Sequence, residues 1–178
     1  GDMLVTEAGD TVTVDFEYRN NGRGPTMLET ITVGENGVPV AWNVAGNSTF
    51  GNAINESFTL DGSAARWTDS TGDGEAVVAE PSVYIAQSGT PYSLAIYSAA
   101  LLADADQSMP ALPGGSLSLQ ELETFSVSGA DEETVTAYAL IGPELDPTYF
   151  LLDDEDALFA QISPEFLIVR EGFEDEDV

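Results

Sequence analysis

At 178 residues, with 43% hydrophobic residues and a formal net charge of −28, the chain can bury a core of one domain and repels nucleic acid and anionic membranes. Its 32 acidic residues stand against four arginines, Arg19, Arg23, Arg66 and Arg170, and no lysine. Cysteine and histidine are both absent, which excludes disulfides, thiolate sites, Ser-His-Asp triads and His-ligated metal centres.

In chain order, TVTVDFEY alternates Val12, Val14, Phe16 and Tyr18 with polar neighbours, the period-two pattern of a half-buried strand. The glycine-rich turn RNNGRGP follows and carries two of the four cations, Arg19 and Arg23. TMLETITV alternates again, GENG is a turn, and VPVAWNVAG is a strand with Pro39 near its start. NSTFGN is a further turn. NESFTLDGSAARWTD predicts a hairpin about Asp61-Gly62, and TGDG with EAVVAEPSVYIA continues the meander.

One segment breaks this rhythm. In TPYSLAIYSAALLADAD, Leu94, Tyr97, Leu101 and Leu102 recur at helical spacing, which predicts a helix over about residues 91–103. Thr90 is the expected N-cap and Pro91 the first helical residue. MPALPGG is read as a loop. Strands resume at SLSLQELETFSVSG, TVTAYALIG, TYFLLD, LFAQI and FLIVREG, with DDEDA turning between Leu151 and Phe159. The fold expected is mainly β, an antiparallel meander forming a barrel, half-barrel or sandwich, with one central helix over an open face or end. A single domain spans residues 1–173, and 174–178 read as an acidic tail or the start of a linker. No run of eighteen apolar residues is present to span a membrane.

So lopsided a charge strains a compact fold unless counterions screen it, and the screening length falls from about 10 Å at 0.1 M salt to roughly 3 Å at 1 M. A high-salt setting is therefore expected, and a calcium-rich one would serve the same carboxylates. The start, GDMLVTEAGD, has no basic n-region, so any signal peptide is expected to be already removed.

The local candidate for a cation is DSTGDGEAVVAE. Asp69, Thr71, Asp73 and Glu80 fall at positions 1, 3, 5 and 12 of an EF-hand-type calcium loop, with Gly74 at position 6. Thr71 stands where Asp or Asn is usual, and Ala76 fills position 8. A glycine-rich hairpin turn is the competing reading. DDEDA reads as a solvated turn, and no carboxylate pair is marked out for glycoside hydrolysis, so no catalytic residue is assigned. Trp42, Trp67, Tyr84, Tyr92, Tyr97 and Tyr149 would suit a sugar platform, but aromatics in alternating strands usually pack the core.

In the turn NNGRGP, Gly22 and Gly24 permit unusual backbone angles and Pro25 fixes the exit. Arg19 and Arg23 would each hold the turn to a neighbouring carboxylate. Their alternative roles are to bind an anionic ligand or to dock another domain.

The motifs YRNNGRGP, GVPVAWNVAGNSTFG, ESFTLDGSAARW, YSAALLADAD, LPGGSLSL and YALIGPELDPTYFLLDDEDALFAQI resemble, over roughly Leu4 to Gly172, the β-rich N-terminal region of exported bacterial amidohydrolase-superfamily proteins. The resemblance implies a non-catalytic accessory domain supporting stability, substrate access or assembly of a downstream metal-dependent hydrolase domain. That family's metal ligands are mainly His, and none can be carried onto this chain. It further implies export, to the periplasm, the cell surface or the exterior, and a structural or interdomain contact at Arg23. Two other functions fit the residues: a free-standing exported binding module with an apolar ligand cavity, such as a lipid carrier, and a calcium-stabilised surface or filament subunit. None of these readings requires a cofactor except the last, which takes calcium.

Overall fold

The computed structural model describes residues 1–142, 146–163 and 167–174. They form a β-sandwich of two seven-stranded sheets with a single helix, and the sheets do not close into a barrel. The sheets follow one another along the chain. The first is a pure meander of β1 (Asp2–Ala8), β2 (Thr11–Glu17), β3 (Thr26–Val33), β4 (Pro39–Asn47), β5 (Ala53–Asp61), β6 (Ala64–Asp69) and β7 (Gly72–Val77). The second begins with β8 (Val83–Tyr84), passes through the helix α1 (Ser93–Leu102), and continues as β9 (Ser108–Leu112), β10 (Ser116–Ser128), β11 (Glu132–Ile141), β12 (Thr148–Asp153), β13 (Leu158–Ile162) and β14 (Leu167–Val169). Its order is β14-β13-β12-β11-β10-β9-β8. β1 and β14 are thus free edges at the same side of the sandwich.

Alternation decides which side chains go inside. On the first sheet one inward row runs Ile31, Trp42, Phe58 and Trp67 across four paired strands. From the second sheet Tyr84 stacks on Phe58, with ring centroids 4.3 Å apart, and meets Trp42 edge-on at 6.4 Å. Tyr97 of the helix lies 5.8 Å from Trp42. Trp42, Phe58 and Tyr84 are fully buried, so these aromatics are core, while Tyr149 is exposed. The opposite face of the second sheet carries a smaller cluster of Val135, Leu151, Phe159, Ala160 and Phe173.

Four details depart from the sequence reading. β1 precedes the first strand expected from the sequence, and its Met3 and Val5 alternate with their neighbours and pack on the core. MPALPGG is not all loop. Met109, Ala111 and Leu112 are buried in β9, and Pro110 is tolerated because the ladder changes partner around it. Ala111 donates its N–H to Gly115 O (3.0 Å) on the β10 side, so the Pro110 nitrogen faces the β8 side, where pairing starts only at Val83↔Ala111. That β8–β9 pair is parallel, the one departure from an antiparallel meander. Finally the helix begins at Ser93, and the Thr90 hydroxyl caps nothing because it is engaged by Glu29. Of the predicted acidic tail, residues 175–178 lie outside the described residues.

Candidate functional site

Between the two free edges lies an open cleft of about 2250 Å³. Met3 and Val5 of β1, Phe16 of β2 and Met27 of β3 line it from the first sheet, and Leu158 and Ile168 of β13 and β14 from the second. Its third wall is the segment from Ile85 to Leu94, which connects β8 to the helix. The apolar lining follows from the strand period: Met3 opposes Phe16, and Phe16 opposes Met27, in one inward row.

Two buried carboxylates hold the third wall in place. Glu29 and Glu56 both occupy inward positions, Glu29 between Met27 and Ile31, Glu56 between Ile54 and Phe58. Both face Val44, so their backbones are two strand spacings, roughly 10 Å, apart. Glu56 accepts hydrogen bonds from Tyr84 Oη, Gln87 N and Ser88 N, each at 2.8 Å. Glu29 accepts from Trp42 Nε1 at 2.7 Å, from Thr90 N at 3.3 Å, and from the Thr90 hydroxyl. Tyr97 Oη accepts a further bond from Ala86 N (3.0 Å). The segment would otherwise leave buried backbone donors unpaired.

Burial pushes the Glu29 carboxyl above its ordinary value of 4.5, against the opposing pull of Thr90 and Trp42, and the nearby Glu56 charge adds to the rise. Burial likewise raises the Tyr84 and Tyr97 hydroxyls, and Tyr92, which donates to Glu7 (3.2 Å), is pushed up to about 12. Neither glutamate lines the cleft, and their oxygens are engaged by protein donors, so they serve as anchors and not as a catalytic pair. Ser93, whose side chain is hydrogen-bonded to Tyr97, and Gln161, whose buried Oε1 has no partner among the described residues, both line the cleft. Gln161 opposes Phe150 and Ile168 in an inward row of the second sheet.

Arg19 and Arg23 have parted company. Arg19 Nε donates to Glu17 Oε1 at 2.8 Å, an exposed pair on its own strand end. Arg23 sits on the far arm of a two-residue Asn21-Gly22 turn, where the φ values of 53° and 75° are those of a tight hairpin. Asn20 N donates to Arg23 O (2.7 Å) and Arg23 N to Asn20 O (3.1 Å). Gly24 is obligatory here, because a Cβ would lie 1.6 Å from Tyr18 O. The turn sets Arg23 at the rim of the cleft with Asn20 and Asn21. Arg170 pairs with Asp153 and Glu133 and lies 5.2 Å over the Phe159 ring.

The calcium candidates are spread over a hairpin. Asp69 ends β6 and accepts from Thr71 N (2.7 Å) and the Thr71 hydroxyl (2.6 Å), which pulls its carboxyl down. Thr68 opposes Asp73 and donates to it at 2.7 Å, so Asp69 and Asp73 point to opposite faces of the ladder. Glu80 lies beyond the end of β7, and among the described residues no three acidic groups are gathered to hold a metal. DDEDA is a turn as read, but Asp153 is buried in it. Burial raises its carboxyl less than Arg170 and the N–H groups of Ala157 and Glu155 lower it.

No family model and no curated protein matches the sequence. Among solved structures, the chain is similar in fold to a DUF1089-family protein from Pseudomonas aeruginosa, with a TM-score of 0.53 and 12% identity over 94% of this chain and 90% of that one. At that identity the likeness is one of architecture, and it extends over the whole sandwich.

Proposed function

We propose that the protein is a binding module for an elongated, largely apolar small molecule seated in the cleft. The observation that carries this reading is the cleft itself, whose volume of about 2250 Å³ lies between apolar walls supplied by both sheets. Pockets for drug-sized ligands are roughly 300–1,000 Å³, so the space suits a long chain better than a compact molecule. Burying even half of a twelve-carbon chain is worth about 5 kcal/mol. An accessory role beside a metal-dependent hydrolase, implied by the resemblance, would not need an open cleft, and no residue geometry favours it. The high-salt setting expected from the charge and the exported setting implied by the resemblance are kept as part of the proposal, and assays belong in molar salt.

The test is binding of an uncharged fluorescent apolar probe, N-phenyl-1-naphthylamine, displaced by a series of 1-alkanols. Displacement should strengthen with chain length, and Val5→Trp, which fills the cleft from β1, should weaken probe binding at least about tenfold. A probe that does not bind, or alkanols that displace it without regard to length, would overturn the reading.

A further inference from the structure

We infer that the ligand is an amphiphile with an anionic head, and that Arg23 is the residue that receives the head at the rim of the cleft. The inference rests on the cleft reading above and adds the polar end to it. Of the four cations in a chain of net charge −28, Arg19 and Arg170 are spent on carboxylates. Arg66 lies directly across from Glu75 on the neighbouring strand. Only Arg23 lines the cleft with neither an ion pair nor a side-chain hydrogen bond among the described residues.

A long flexible cation among 32 acidic residues finds a carboxylate unless its backbone is built to keep it elsewhere. Here it is. The Asn21-Gly22 hairpin, the paired bonds between Asn20 and Arg23, the Tyr18 N to Pro25 O bond of 3.2 Å and the crowded Gly24 together fix the point from which the side chain leaves. Its uncharged companions on the rim, Asn20, Asn21 and Thr49, come from the β2–β3 and β4–β5 turns at the same end of the first sheet. Of the other carboxylates on the cleft lining, Glu7 lies toward the opposite end of β1, held by Tyr92. Glu171 and Glu174 follow β14 of the second sheet, where Glu174 accepts from Gly172 N (2.8 Å), and Asp2 alone shares the Arg23 end of the first sheet. A guanidinium presents paired N–H donors that match a carboxylate or a phosphate, whichever the head carries. Acidic surroundings repel an anion that comes without a chain, so the apolar part must supply the affinity and Arg23 the orientation and head selectivity.

The experiment compares dodecanoate, dodecyl phosphate, 1-dodecanol and propionate as displacers of the naphthylamine probe, on the native sequence and on Arg23→Gln, Arg23→Lys and Arg19→Gln. Dodecanoate and dodecyl phosphate, the two head types, are expected to outcompete 1-dodecanol, and propionate to fail. Arg23→Gln should weaken both anionic amphiphiles about tenfold and leave 1-dodecanol unchanged, Arg23→Lys should recover part of the loss, and Arg19→Gln should change neither. The Arg23 effect should shrink between 0.5 and 2 M salt, because the site is exposed. If Arg23→Gln leaves dodecanoate and dodecyl phosphate untouched, or weakens 1-dodecanol equally, the assignment of Arg23 is overturned while the cleft stands. Should propionate compete as well as dodecanoate, the site reads a free anion and the amphiphile is wrong. If neither the anionic amphiphiles nor 1-dodecanol displaces the probe, the cleft reading itself falls.

Discussion

The two ends of this sandwich are filled differently. At the end where β7 runs over to β8, Trp42, Phe58 and Tyr84 pack ring on ring and are fully buried. At the end where the sheets stop in the free edges of β1 and β14, the same inward period leaves Met3 and Val5 only half-buried along the cleft. What separates the ends is covering. The packed side is closed by the passage from β7 to β8, whereas the cleft side ends in two unpaired edges, with residues 85–94 as its third wall. A sandwich of this kind becomes a receptacle by leaving one edge of its meander unpartnered.

If that contrast is right, equal losses of side chain should have unequal consequences. Trp42→Ala should cost about 3–5 kcal/mol, because the hole it leaves is enclosed by rigid neighbours. Met27→Ala, although its residue is only 7% exposed, borders the cleft and should cost about 1 kcal/mol, since no sealed cavity forms. Urea melts at fixed salt measure both. Comparable losses at the two positions would mean that the open end is packed as tightly as the sealed one.

The segment between the ends is the next place to press. Glu56→Ala strands Tyr84 Oη and the N–H groups of Gln87 and Ser88, and should destabilise by about 3 kcal/mol. The loss should be local before it is global. Hydrogen exchange at the Gln87 and Ser88 amides should quicken far more than in β10, and unchanged protection there would show that the carboxylate is not what holds the wall.

Much of this was open to view in the amino-acid order. Period two gave the strands and the helical spacing around Leu94 gave α1, because both patterns are local consequences of burying one face. The carboxylate anchors were also visible in principle: in TMLETITV and NESFTLD the acids Glu29 and Glu56 stand in phase with Met27, Ile31 and Phe58, and an acid at an inward position calls for a partner. Composition hides them, because they are two of 32 acidic residues, most of which are solvated. Residue spacing likewise placed Asp69 and Asp73 at calcium-loop positions, but register with Gly72 and Thr68 put them on opposite faces, and register is not a local property. An apolar cavity was one of the readings the sequence allowed, but its walls could not be placed, since they meet only when β1 and β14, at the two ends of the chain, are brought to one side.

The smallest effect is the one whose sign discriminates best. Glu29 has its native carboxyl raised above 4.5, chiefly by burial. Below that pH both native and unfolded chains hold the proton, and ionisation costs the fold nothing. As pH rises above 4.5 the unfolded chain gives up its proton first, so the native state falls behind in stability until it too ionises. Glu29→Gln cannot ionise, yet its oxygen can still accept from Trp42 Nε1 and Thr90 N while its amide donates to the Thr90 hydroxyl. The variant should therefore match the native protein near pH 4.5 and gain on it as pH rises, by roughly 2–4 °C in Tm. Asp153 runs the other way: its carboxyl is held below 3.8, so its contribution is present above that pH and is lost as pH falls through the lower native value. Asp153→Asn should consequently lose Tm at neutral pH and recover on acidification. If the Glu29→Gln advantage stays flat or shrinks as pH rises, Glu29 is not a strained anchor, and the wall of the cleft is held by its three-donor neighbour Glu56 and by Tyr97 alone.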